Sequence, residues 1–425
     1  MKRVLKVFTL SLLLTMAIIP IFANGSQEMK NSSAKKQLTL SIWDENQKAT
    51  IQEIVDSFNA QSTEYEATIQ LTPWSTYWTK LDASAGAGDA ADVFWMNVYL
   101  PKYVDGDVLL PLDEYITKND IDINNYVQTT LDMYNYKNHI WAMPKGMDTV
   151  VVAYNKALFD KYDVAYPQKG WSWDDMKTIS MELRDKIKKA GDTNYPILME
   201  LDAQPSYFNF IYQNGGYVVS DDYSKSGFNQ PEVAKSFQNV VDLFNEKLLA
   251  PYNVLSETKG TDLFISKKGA MVFIGSWKAS VLENCSIAQE GNLGLVTMPS
   301  QDVDNTSVIG GLGYAISKNT KYPDGSFALV KYLTGFEGNK IQGEKGIDIP
   351  AYRDAQKYYK EHFKNIDAQA FFDAADTSVP FPAGPDINAW IGIINDNAAR
   401  ILAQEISPEK GCELIYKDMQ AAIDK

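Results

Sequence analysis

The chain has 425 residues, enough for two or three ordinary domains and at least two hydrophobic cores. Its 45% hydrophobic, 22% charged and 12% aromatic content is that of a folded protein in water and excludes disordered or collagen-like character. Lys plus Arg total 40 against 54 Asp plus Glu, a formal charge of -14, so the surface is not built to neutralise nucleic-acid phosphates or anionic lipid. Two His and two Cys, with no close spacing, are too few soft ligands for a structural zinc or haem site, and neither metal nor cofactor is expected.

Lys2, Arg3 and Lys6 precede an apolar run from Val7 to Phe22, and the small-residue stretch Ala23-Asn24-Gly25 follows. That is the layout of a secretory signal peptide over residues 1–25. Thr9, Ser11, Thr15 and Pro20 interrupt the run, which falls short of the roughly 20 apolar residues that span a membrane. No Cys stands at the cleavage site to take a lipid. The mature protein is therefore expected to be periplasmic or secreted, without a membrane anchor. In such a compartment Cys285 and Cys412 have two outcomes open, one disulfide or two buried thiols.

Gln37 to Trp43 alternates apolar and β-branched residues as a strand, and Ala49 to Ala60 repeats Ile51, Ile54, Val55 and Phe58 at helical spacing. Thr68 to Thr72 predicts a second strand and Tyr77 to Ala85 a second helix. After the break at Gly86-Ala-Gly-Asp89 comes a buried strand, Ala91 to Trp95. This βαβαβ unit predicts an open parallel sheet whose ligand side lies beyond the carboxyl ends of the strands, where Trp43-Asp44-Glu45, Trp74 and Trp95-Met96-Asn97 stand. A second unit begins with a Val-rich strand from Asp148 to Tyr154 and a helix from Asn155; Ser172 then N-caps a helix running to Lys189. Pro231 to Leu248 reads as a helix, and Gly269 to Ile274 as a buried strand ending at Gly275-Ser-Trp277. A strand from Gly294 to Thr297 leads to Pro299, and Val308 to Ser317 is interrupted by Gly310, Gly311 and Gly313.

Taken in order, several segments resemble the extracellular solute-binding proteins of carbohydrate ABC transporters, the group that includes maltose-binding protein. They are Leu40-Ser-Ile-Trp43, Ala91-Asp92-Val-Phe-Trp95, Trp141-Ala-Met-Pro144 leading to Val152-Ala-Tyr-Asn-Lys156, Trp171-Ser-Trp173-Asp-Asp, Gln213-Asn-Gly-Gly216, the Phe264 to Trp277 segment and Gly310-Gly-Leu-Gly-Tyr-Ala-Ile-Ser317. The resemblance covers about residues 38 to 424. It implies an α/β, two-lobed periplasmic binding protein fold of type II, each lobe a mainly parallel sheet flanked by helices, joined by a hinge the chain crosses three times. By position the crossings fall near Gly146, Pro299 and Pro350. Lobe one is then 37–146 plus 300–349, and lobe two 147–299 plus 350–425. The resemblance also implies a monomer that binds a sugar or oligosaccharide in the cleft and delivers it to ABC transporter membrane permease subunits.

A pyranose presents C–H patches on its faces and hydroxyls around its rim, so a site needs flat aromatics and planar polar side chains. Trp43, Trp74, Trp95, Trp277 and Trp390 stand at strand ends or turns, and Trp95, Trp277 and Trp390 match segments that stack sugar rings in the family. Trp141, Trp171 and Trp173 read as packing residues. Polar candidates are Asp44, Glu45 and Gln47 after the first strand, Asn97 after the third, Asp148 after the first crossing, and Gln204. Gly310 and Gly311 let backbone N–H groups approach a ligand, and Arg353 follows the third crossing. Where maltose-binding protein carries a charged Asp-Arg pair, this chain has Val98-Tyr99, which argues against maltose itself. Only four Arg occur, so a phosphorylated ligand is disfavoured. Alternatives are a secreted lectin or chemoreceptor ligand-binding protein, a polyamine-binding protein using Asp44, Glu45, Asp92 and Asp148 as a carboxylate cage, and a glycosidase. His139 and His362 have no nucleophile elbow near them, and no catalytic residues are expected.

Overall fold

The computed structural model describes residues 34–384 and 387–425; the expected signal peptide lies outside them. Strand β1 (Lys36–Ile42) buries Leu38, Leu40 and Ile42 on one face, as its alternation dictates. Asp44 then caps helix α1 (Glu45–Gln61), its carboxylate accepting the Asn46 N–H at 2.8 Å, and Ile51, Ile54, Val55 and Phe58 form the buried face. Strand β2 (Tyr65–Leu71), helix α2 (Trp74–Gly86) and strand β3 (Val93–Met96) complete the βαβαβ unit, with β1 parallel to both β2 and β3. A small hairpin, β4 (Asn135–Tyr136) and β5 (His139–Ile140), precedes β6 (Ala142–Asp148).

Between β6 and β7 (Val150–Asn155) stands one residue, Thr149, and the two strands belong to different sheets. The sequence reading of one strand from Asp148 is corrected by this break. Thr149 is fixed there by its N–H, which donates to Ser276 Oγ at 3.2 Å, and by its hydroxyl, which donates to the Phe371 carbonyl at 2.8 Å. The second sheet adds β8 (Tyr195–Leu198), β9 (Gly269–Gly275) and β10 (Leu293–Thr297) in the order β10-β7-β9-β8. All seven residues of β9 are buried, as befits a central strand covered on both faces. The first sheet is closed by β11 (Val308–Ile316) and β12 (Ile349–Pro350), in the order β12-β6-β11-β3-β1-β2, with β13 (Val379–Pro380) paired to the start of β11.

The two-lobed α/β class holds, with sheets that are mixed where the expectation was mainly parallel. β11 runs antiparallel to β3 and β6, and β7 runs antiparallel to β9 and β10; β8 and β9 are parallel. A strand that enters a sheet by crossing from the other half, without a helical crossover, is not bound to the parallel direction. The glycines of β11 do not interrupt it. They allow close approach: a β-carbon on Gly311 would meet the Gly146 carbonyl, and one on Gly313 the Tyr134 ring.

Among the described residues there are two hydrophobic cores. One gathers buried side chains from Leu38 to Met143 and from Tyr314 to Leu333; the other runs from Met147 to Ile309 and from Tyr359 to Ala422. The chain changes core between Met143 and Met147, within β11 between Ile309 and Tyr314, and around Ile349–Ala351. The second change comes later than Pro299, because Met298, Val308 and Ile309 all still pack in the second core. Cys285 and Cys412 are buried and unpaired. No helix of the described residues is long and apolar enough to cross a membrane.

Candidate functional site

A cavity of about 350 Å³ opens between the two halves at the carboxyl end of β1, where the connection to α1 turns away from the sheet. Its first wall is a graded aromatic stack. Trp95 on β3 is fully buried, Trp43 stands edge-on to it with centroids 5.0 Å apart, and Trp74 at the start of α2 lies 5.2 Å further out and is 49% exposed. Tyr77 and Trp78 brace Trp43 from α2 at 4.8 and 5.6 Å. Edge-to-face pairs of this kind add roughly 0.5–1.5 kcal/mol each beyond buried area, so the wall is stiff before any ligand arrives.

The facing indole comes from the other half. Trp277 sits in the single turn Ser276–Lys278 that ends β9, and it packs against the second core. Its ring lies back over Gly275, where any β-carbon would overlap it. Only glycine at the end of β9 leaves the indole this seat, with its outer face to the cavity.

Polar groups complete the rim. Asp44 and Gln47 lie three apart across the first turn of α1 and both line the cavity. Gln47 is buried, and its Oε1 has no hydrogen-bond partner among the described residues. Asn97 follows β3 and holds the turn through its Oδ1, which accepts the Tyr99 N–H at 3.1 Å. Gln204, from the second half, donates to the Val308 carbonyl at 3.4 Å, and Gly310 has no side chain to displace its amide. Gly310, Gly311, Asp148 and Asp348 form the floor.

The floor holds the strongest electrostatic feature. Lys145, fully buried, donates to Asp348 Oδ2 at 2.7 Å, and its ammonium lies 5.5 Å from the Trp95 ring centre. Asp148 lines the same floor, within reach of the Asp348 charge. Burial, and then the Asp348 charge, hold the Asp148 carboxyl well above the usual carboxylate range, against the opposing pull of Lys145. Burial also raises Asp348, opposed chiefly by Lys145.

Ten of the expected site residues meet in this one cavity: Trp43, Asp44, Gln47, Trp74, Asn97, Asp148, Gln204, Trp277, Gly310 and Gly311. Four do not. Trp95 belongs to a strand covered on both faces, so it supports Trp43 from beneath. Trp390 is 1% exposed on the inner face of helix Ile387–Leu402, and its neighbour Ile391 lines the cavity in its place. Glu45 is exposed because its helical position points away from that of Asp44 and Gln47. Arg353 is exposed, its Nε donating to the Tyr126 carbonyl at 3.0 Å. The carboxylate cage of the polyamine alternative is not assembled. Asp92 is spent on the sheet, accepting from Thr39 N–H and Oγ1 at 2.9 Å each and from Thr320 Oγ1 at 2.6 Å.

The sequence reading missed Val98, Tyr99, Leu312, Asp348, Phe381 and Ile391. Tyr99 carried a signal, standing two residues past Asn97 after the end of a buried strand. Asp348 carried only its position just before the Ile349-Pro350 crossing. Beyond Val98 and Phe381 a second cavity of about 350 Å³ continues between the halves, walled by Met133 and Tyr136 on one side and Tyr212 and Tyr223 on the other.

The family model described as "Bacterial extracellular solute-binding protein" matches residues 43–340. The maltotriose-binding protein of Pyrococcus abyssi is 26% identical over 211 residues, 49% of this chain and 42% of that protein, so the match spans less than half of the relative's length. The galactooligosaccharide-binding protein of Bacillus subtilis is 22% identical over 405 residues, 91% of this chain and 90% of that one. An ABC substrate-binding protein from Listeria monocytogenes, solved in complex with cycloalternan, superposes with a TM-score of 0.84 at 22% identity, covering 92% of this chain and 99% of that chain; this is a likeness of fold. With two α/β halves around one cavity and a family match across most of its length, the chain belongs to the bacterial extracellular solute-binding proteins.

Proposed function

We propose that this protein binds an uncharged sugar, and preferably an oligosaccharide, in the cavity between its halves and delivers it intact to the membrane permease of an ABC transporter. The observation that carries the reading is the pairing of Trp43 and Trp74 from one half with Trp277 from the other around rims of Gln47, Asn97 and Gln204. Indoles suit the C–H faces of a pyranose, and amides suit its hydroxyls, donating and accepting at once. The adjoining second cavity gives room for more than one ring. The names of the Pyrococcus and Bacillus relatives point to the same ligand class.

In this reading the lobes are divided where the cores change, at 144–147, 310–313 and 349–351, and the ligand shifts the equilibrium toward closure through contacts made to both lobes at once. The loaded monomer is then the form the permease recognises, outside the cytoplasm, after removal of residues 1–25. Hydrolysis is disfavoured because Asp348 at the cavity floor is already engaged by the buried Lys145 ammonium at 2.7 Å, which leaves no free pair of carboxyls there for acid and nucleophile or base. The test is a thermal-shift screen of mono- and oligosaccharides followed by calorimetry on the hits. A sugar that raises the melting temperature and is recovered unaltered supports the reading; a screen in which no saccharide shifts the transition overturns it.

A further inference from the structure

The two cavities between the halves, each of about 350 Å³, have two lining residues in common, Val98 and Phe381. Val98 follows β3 of the first half and packs against the second core. Phe381 follows β13 and packs against that core too, its ring centre 5.3 Å from that of Phe208. The backbone holds Phe381 firmly. Its N–H donates to the Ile309 carbonyl at 2.8 Å, which extends the pairing of β13 with β11 by one step, and Pro380 and Pro382 flank it. A proline fixes its own backbone angle and confines the residue before it to extended geometry, so Pro382 restricts Phe381 as Pro380 restricts Val379. The ring therefore keeps one place, at the neck where the two chambers meet.

The neck differs in chemistry from the chambers it joins. The inner chamber offers the amides of Gln47, Asn97 and Gln204. The outer one offers Asn135, Ser220 and the phenols of Tyr136, Tyr212 and Tyr223, and no Lys, Arg or His among the described residues lines it. Val98 and Phe381 have no hydrogen-bonding side chain. A sugar ring placed between them would lose water from its hydroxyls without gaining a side-chain partner. A glycosidic link carries one ether oxygen and no hydroxyl of its own, so it is the part of a saccharide that loses least there.

We propose that Val98 and Phe381 are specificity-determining residues that fix the register of a linear, neutral oligosaccharide, with a glycosidic link in the neck and saccharide units in the chamber on each side. Each volume sits at the low end of the roughly 300–1,000 Å³ of ligand pockets, so one chamber suits a short saccharide and the pair a longer one. A branch beside that link would bring hydroxyls into the neck and is rejected. An acidic sugar would meet Asp132 and Asp221 in the outer chamber with no cation to receive it. The proposal rests on the sugar-binding reading and adds to it length, register and branching.

Calorimetry with linear malto-, cello- and β-galacto-oligosaccharides, each from the mono- to the hexasaccharide, reads the register. In the series that binds, affinity is expected to rise about tenfold or more at the length that first enters the outer chamber, and then to level off. Tyr223 is 37% exposed and lines the outer chamber, not the inner one. Tyr223→Ala is expected to cancel the rise and leave the shorter members unchanged. Phe381→Ala opens the neck and is expected to bind a branched isomer of the tightest linear ligand, which the wild type holds at least about tenfold more weakly than the linear form. If Phe381→Ala does not fold, Val98→Ala makes the same comparison. A series with no dependence on length, an equal loss at every length in Tyr223→Ala, or a wild type that binds linear and branched isomers alike overturns the register while the sugar reading stands. Should no saccharide of any length bind, both fail.

Discussion

Trp277 is seated on Gly275 so closely that the strand end tolerates no β-carbon beneath the ring. The indole is thus positioned by an absence in its own backbone two residues earlier. Gly275→Ala is expected to tip the ring into the cavity and weaken sugar binding about tenfold, a change of about 1.4 kcal/mol. Trp277→Ala removes the platform outright and is expected to cost about 2 kcal/mol or more of binding, the scale of a buried aromatic anchor. Because Trp277 is only partly buried at the mouth of β9, its removal should leave the melting curve nearly unchanged. Calorimetric titration of both variants checks this; unaltered affinity in Trp277→Ala removes that residue from the site.

The graded stack on the opposite wall separates stability from binding. Trp95→Ala empties a fully buried site beneath Trp43 and is expected to destabilise the protein by about 3–5 kcal/mol. Trp74→Ala trims an exposed ring, so its stability cost should stay under about 1 kcal/mol while affinity falls. Denaturant unfolding and ligand titration on the same two variants distinguish the roles. Equal stability losses would contradict the grading.

This division also explains what the sequence made legible. The βαβαβ unit and the cavity-facing ends of β1 and β9 follow from periodicity and turn residues, and they bring Trp43, Asp44, Gln47 and Trp277 to the cavity. Trp95 and Trp390 were misplaced because periodicity tells which residues are apolar, and leaves open which face of a doubly covered strand or helix meets the core and which meets a cleft. Asp348 and Phe381 were invisible for another reason. They reach the cavity through the return of the chain across the hinge, and no local pattern records a contact between residues so far apart in sequence. The glycines of β11 misled in the opposite direction: they mark close approach in a continuous strand, which in sequence looks like a break.

Cys285 and Cys412 lie buried in the second core as free thiols. Burial pushes the Cys412 thiol up to about 12, so it carries almost no thiolate at neutral pH. The native protein is therefore expected to resist iodoacetamide at pH 8 and to release two reactive thiols on unfolding, with no change in melting temperature on adding a reductant. Mass spectrometry of alkylated native and denatured protein reads the outcome; a mass two protons lower, lost on reduction, would show a disulfide.

The pair at the cavity floor makes stability depend on pH with a definite sign. Burial and the Asp348 charge raise the Asp148 carboxyl, so it gives up its proton at higher pH in the folded protein than in the unfolded chain, where an ordinary carboxylate titrates near about 3.9. That contribution is whole below the unfolded value and is lost as pH rises through the raised folded value, so wild-type stability should decline across this window. Asp148→Asn, which cannot titrate, should lack the decline and overtake the wild type at the alkaline end. Lys145 acts from the other side. Lys145→Met leaves the buried Asp348 carboxylate without its cation and is expected to cost about 3–5 kcal/mol near neutral pH, less in acid where that carboxyl is protonated. Adding Asp348→Asn to Lys145→Met removes the uncompensated charge and should restore most of the loss, an interaction that a double-mutant cycle in urea measures directly. If the double variant is as unstable as Lys145→Met alone, the loss comes from packing under Trp95, where the lysine also lies, and not from charge.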